Sequence, residues 1–83
     1  MDQIVYLNGD YLPLAEARIP VLDRGFIFGD GVYEVIPAYG RVLFRLKEHL
    51  ARLEHSLRSV RIANPFDEAG WRRLLETVVA RNA

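Results

Sequence analysis

The stretch Val42-Leu43-Phe44-Arg45-Leu46-Lys47-Glu48-His49-Leu50-Ala51-Arg52-Leu53 is where this chain changes its hydrophobic period. Val42-Leu43-Phe44 is a short β-prone run, whereas Leu46, Leu50, Leu53, Leu57 and Val60 recur at helical spacing and make one apolar stripe. A helix therefore begins near Leu46. Asn64-Pro65 breaks it, and Asp67 is a suitable N-cap for a second helix whose face is Trp71, Leu74, Leu75, Val78 and Val79.

Upstream of the switch the signals are those of strands and turns. Ile4 to Leu7 and Tyr11 to Leu14 are apolar runs separated by Asn8-Gly9-Asp10, and Asn-Gly predicts a β-hairpin because both central positions of a type I′ turn want φ > 0. Ala15 to Arg18 reads as a connector, and Ile19-Pro20-Val21-Leu22 leads into the loop Asp23-Arg24-Gly25-Phe26-Ile27-Phe28-Gly29-Asp30-Gly31. Val32 to Tyr39 alternates as a strand would, with Tyr33, Val35, Pro37 and Tyr39 on one face and Val32, Glu34, Ile36 and Ala38 on the other. Pro37 cannot donate to a ladder, so that strand is expected at an edge or bulged. Gly40-Arg41 turns the chain back into Val42-Leu43-Phe44. A β-hairpin and further antiparallel strands followed by two amphipathic helices give an α+β fold.

Composition narrows the function classes. Eighty-three residues make one small domain, 51% hydrophobic, with enough apolar material for a core. Eleven basic residues balance eleven acidic ones, which argues against a nucleic-acid partner. The absence of cysteine removes disulfides and thiolate metal sites. Met1-Asp2-Gln3 does not open a signal peptide, and no apolar run is long enough for a bilayer, so a cytoplasmic location with no membrane partner is expected. Ten of the eleven basic residues are arginine, and Lys47 is the single lysine.

On the first helix, one shoulder of the leucine stripe carries Lys47, Glu54, Arg58 and Arg61, a solvated flank. The other carries Arg45, His49, Arg52, Ser56 and Ser59, and His49, Arg52 and Ser56 are spaced to act together. Arg52 beside small hydroxyl residues is a candidate anion site, since its planar fork suits phosphate or carboxylate. The plainer reading pairs Arg52 with an acidic neighbour such as Glu48. His49 likewise reads as a structural histidine at a core edge. Phe28-Gly29-Asp30-Gly31 suits either an anion-binding backbone or a tight turn, and Tyr33 either faces a cleft or packs in its strand.

Taken in order, Asp23-Arg24-Gly25-Phe26, Phe28-Gly29-Asp30-Gly31-Val32-Tyr33-Glu34-Val35, Phe44 and Glu48-His49-Leu50-Ala51-Arg52-Leu53 resemble the opening of class IV (fold-type IV) pyridoxal-phosphate aminotransferases, most of all the D-amino-acid aminotransferases. The resemblance spans nearly the whole chain, from the Asn8-Gly9 hairpin to the Trp71 helix. It implies that residues 1–83 are the small N-terminal domain of such an enzyme and that Arg52 grips the phosphate of pyridoxal 5'-phosphate. It further implies that Tyr33 lines the substrate side of the cofactor, that Val35 shapes the side-chain pocket, and that His49 supports the local structure. Pro37 and Tyr39 are weaker candidates on the same face. The expected substrates are an amino acid, such as D-alanine, and a 2-oxo acid, handled by a homodimer of the complete enzyme. Branched-chain aminotransferases commonly have Phe-Glu-Gly where this chain has Tyr33-Glu34-Val35. They remain an alternative, as do aminodeoxychorismate lyases, R-selective amine transaminases and a non-catalytic interaction module.

The same resemblance places the cofactor-bearing lysine in a large domain outside these residues. Lys47, on the opposite shoulder from Arg52, is a poor substitute. The chain is therefore expected not to transaminate alone and to pair with that large domain.

Overall fold

The computed structural model describes residues 2–83 and has the expected α+β character. Strands β1 (Ile4–Leu7) and β2 (Asp10–Pro13) form an antiparallel hairpin, with Tyr6 opposite Tyr11 and Ile4 opposite Pro13. Asn8 at φ 49° and Gly9 at φ 98° supply the two left-handed residues that the turn requires. The Leu14 N–H donates to the Gln3 carbonyl at 2.8 Å, one step beyond the Ile4–Pro13 pair. That pair is thus a non-hydrogen-bonded one, and the missing N–H of Pro13 costs the ladder nothing. Leu14–Glu16 follows as a 3₁₀ turn, so β2 ends at Pro13, one residue short of the predicted run, and the turn takes Leu14 together with the first two residues of the predicted connector.

Helices α2 (Leu46–Ser59) and α3 (Glu68–Arg81) bear out the two periodic stretches. Leu46, Leu50 and Leu57 of α2 and Leu74 of α3 are the buried core, while Val60 lies just past the end of α2 and is exposed. Asp67 caps α3, its carboxylate accepting the Gly70 N–H at 2.7 Å. A Cβ on Gly70 would sit 3.1 Å from the Phe66 Cβ, so a side chain there would push Phe66 away.

Asn64 fastens the link between the two helices. Its carbonyl accepts from the Trp71 indole at 2.7 Å, and its amide donates to Glu54 at 2.6 Å. Edge-to-face contacts Tyr11–Tyr6, Tyr6–Phe66 and Phe66–Trp71 carry the packing from the hairpin to α3. The Asn82 side chain acts as a substitute strand partner: it accepts from Ile4 N–H and donates to the Ile4 carbonyl, both at 2.8 Å. The end of α3 is thereby tied to β1.

Two expectations need correction. The Val32–Tyr39 strand shrinks to β3 (Ala38–Tyr39), which pairs only with β4 (Val42–Leu43) across the turn at Gly40 (φ 56°) and Arg41 (φ 66°). Residues 32–36 lack a ladder because no second strand lies beside them, and Pro37 has no N–H to give. Phe44 lies outside β4, though its N–H still reaches the Pro37 carbonyl at 2.8 Å. The predicted loop contains a single helical turn, α1 (Arg24–Ile27), capped by Asp23, which accepts from Gly25 N–H at 2.8 Å. An Arg24–Asp30 ion pair at 2.7 Å and the Arg24 guanidinium over the Phe28 ring close that turn on itself. Among the described residues no helix is long and apolar enough to cross a membrane.

Candidate functional site

The two-faced alternation predicted for residues 32–36 survives without the ladder. Val32, Glu34 and Ile36 are half-buried, while Tyr33 and Val35 point outward at 85% and 70% exposure. Glu34 thus turns its carboxylate toward α2. A carboxylate sharing a face with Val32 and Ile36 needs cationic partners. It finds two, one helical turn apart.

Arg52 donates from Nε to Glu34 Oε2 at 2.7 Å and from Nη2 to Oε1 at 2.8 Å, a bidentate fork. His49 Nδ1 lies 2.8 Å from the same Oε1. A carboxylate oxygen at that distance requires the proton on Nδ1, so Nδ1 donates. The 3.3 Å approach of Arg52 Nη2 to Nδ1 is then a contact between two donors and not a hydrogen bond. The Glu34 side chain keeps only 9% of its surface exposed and His49 15%, whereas Arg52 keeps 65%. The pair is sheltered on the carboxylate side and open on the guanidinium side.

The electrostatics follow from this geometry. The Arg52 hydrogen bonds, then that of His49, lower the Glu34 carboxyl from its ordinary 4.5 to about 2, against the opposing effect of burial. Glu34 in turn raises Arg52 further above its usual value. Glu34 is ionised at neutral pH.

Tyr33, Glu34, Val35 and Arg52 line a shallow cleft of about 390 Å³. Two residues expected on the Tyr33 face are elsewhere: the Tyr39 ring stacks edge-on against Phe44, and Pro37 is engaged with the Phe44 N–H. From the helix shoulder only His49 and Arg52 are drawn together. Ser59 donates to the His55 carbonyl at 2.9 Å and Arg45 sits over the Phe44 ring. The acidic partner of Arg52 is Glu34, not Glu48, because a half-buried carboxylate approaching from another segment makes a better fork than a solvated neighbour. Lys47 lines a different cleft with Glu54, Asn64 and Trp71. Five residues along a helix separate it from Arg52 by roughly 140° of rotation.

Glu34 is the member of this cluster that reading the sequence missed. Its signal was a single carboxylate at an inward position between two aliphatic residues. Among the described residues no group of His, Asp and Glu is arranged to hold a metal ion.

Fold and site together define a small α+β unit that presents a carboxylate-anchored arginine at the rim of an aromatic-walled cleft, a group suited to anions. Residues 31–83 match the family model described as amino-transferase class IV, and the chain belongs to that family. It is 42% identical over 78 residues to the D-alanine aminotransferase of Bacillus licheniformis, covering 94% of this chain and 28% of that protein. The D-alanine aminotransferase of Listeria monocytogenes serotype 1/2a is 37% identical over 94% of this chain and 27% of its own length. A Methanocaldococcus jannaschii protein provisionally named a branched-chain-amino-acid aminotransferase is 46% identical over 74% of this chain and 21% of its own. The chain spans less than a third of the length of these relatives.

Proposed function

We propose that these 83 residues are the phosphate-holding, substrate-lining part of a pyridoxal-phosphate transaminase, with D-alanine or a similar D-amino acid as donor and a 2-oxo acid as acceptor. The observation that carries this reading is the open guanidinium of Arg52, fixed by Glu34 and set beside the Tyr33–Val35 cleft. Three of its five N–H groups remain after the fork to Glu34, enough to receive a phosphate. The residues present therefore fit the phosphate end of the cofactor. When bound, pyridoxal phosphate supplies the electron sink that lets the Cα–H bond of an amino acid ionise.

The chain's own contribution is binding and orientation. Arg52 neutralises the phosphate, Tyr33 offers an exposed phenol to the substrate carboxylate, and Val35 bounds the side-chain pocket. His49 and Glu34 support Arg52 from behind. Lys47 does not reach that cleft, so the proton-shuttling lysine comes from a large domain, and these residues alone do not transaminate. The D-alanine preference is supported by the names of the Bacillus and Listeria relatives. The Methanocaldococcus relative favours a second reading, a branched-chain substrate.

Co-expression with the large domain of a D-alanine aminotransferase tests the proposal. Transamination of D-alanine with 2-oxoglutarate is expected for the pair, abolished by Arg52→Ala, and absent from the 83-residue chain by itself. A preference for L-leucine over D-alanine would select the branched-chain reading. Turnover by the 83 residues alone, lost in Lys47→Ala, would overturn the assignment of roles.

A further inference from the structure

Resting on the reading of Arg52 as a phosphate ligand, we infer that Glu34 is its positioning residue: the carboxylate sets the guanidinium plane before any anion arrives. An exposed arginine carries rotamer entropy that a ligand must otherwise remove. Here the fork at Nε and Nη2 removes it in advance and leaves Nη1, with the second Nη2 hydrogen, as the presenting edge. His49 holds Glu34 in turn through Oε1, so the carboxylate is gripped from two places on α2.

The opposing effect is charge, since a carboxylate near a phosphate repels it. Burial decides between the two. Glu34 lies behind the guanidinium with its side chain nine-tenths covered, whereas Arg52 faces outward. A phosphate on the outer edge meets the arginine first, and the carboxylate acts through orientation.

Calorimetric titration of pyridoxal phosphate and of unphosphorylated pyridoxal into the 83-residue chain separates these effects. The phosphate-specific preference is expected to fall on the order of tenfold in Glu34→Gln, the loss of roughly one charge-assisted hydrogen bond's worth of preorganisation. Pyridoxal itself should bind unchanged, and the Arg52 Nε–H resonance should lose its downfield shift and exchange faster with water. If Glu34→Gln fails to fold, Glu34→Asp gives the same test by withdrawing the carboxylate one methylene. An equal or stronger phosphate preference in a folded Glu34 variant would overturn the inference. If Arg52→Ala abolishes the preference while the Glu34 variants keep it, positioning alone fails. If Arg52→Ala leaves the preference intact, or the wild-type chain shows none, the phosphate reading fails and takes the inference with it.

Discussion

The helical part of the molecule and the segment from Pro20 to Pro37 have comparable supplies of apolar residues and use them in opposite ways. In α2 and α3 the leucines face one another, and Asn64, Asp67 and Asn82 satisfy the backbone and side-chain polar groups around them. In the segment, Val21, Leu22, Phe26 and Phe28 are mostly exposed, and residues 32–36 belong to no helix or strand. Its best-defined side-chain attachment to the helices is Glu34, bonded to His49 and Arg52. Stability therefore resides in one region and the candidate site at the junction. Such a division is common where a rigid scaffold positions loop residues for binding.

The contrast can be broken most forcefully in the core. Leu46→Ala removes the most buried side chain and is expected to destabilise the chain by about 2–4 kcal/mol in urea unfolding. A loss no larger than that of a surface substitution would mean that the helices are not the stable half. Acid probes the junction next. Because the Glu34 carboxyl is lowered from 4.5 to about 2 in the folded chain, its contribution is complete above pH 4.5, shrinks as pH falls, and is gone below about 2. Unfolding followed across that window should show a steeper loss for the wild type than for Glu34→Gln. Parallel curves would detach Glu34 from the pairing described.

Smaller effects sharpen the same division. Asp67→Ala deletes the α3 cap and should cost about 1 kcal/mol, read as a lower midpoint in the same denaturant series. Leu22→Ser, in the exposed segment, should stay within roughly 0.5 kcal/mol of the wild type. A larger loss there would show that the segment is packed after all.

What the sequence made legible divides along the same line. The Asn8-Gly9 turn, the Asp67 cap and the stripes of α2 and α3 are local consequences of φ preferences, side-chain acceptors and helical spacing, and each is present in the structure. The Val32–Tyr39 strand misled because alternation records which residues share a face but not whether a neighbouring strand exists to complete the ladder. The division into two faces nevertheless holds over residues 32–36, and the structure adds its direction, with Glu34 inward and Tyr33 and Val35 outward. Arg52 was legible as an anion-suited residue, but its partner was not. Glu34 is 18 positions away and meets it only through the tertiary fold. A partner search along α2 could find only Glu48.

The central claim is that Arg52 receives a phosphate at this junction, and the ³¹P resonance of pyridoxal phosphate reports on it most directly. Titrating the 83-residue chain should shift and broaden that resonance in the wild type and leave it as in free solution with Arg52→Ala. The same perturbation with both proteins would contradict the assignment of Arg52, and with it the role given to this corner of the fold.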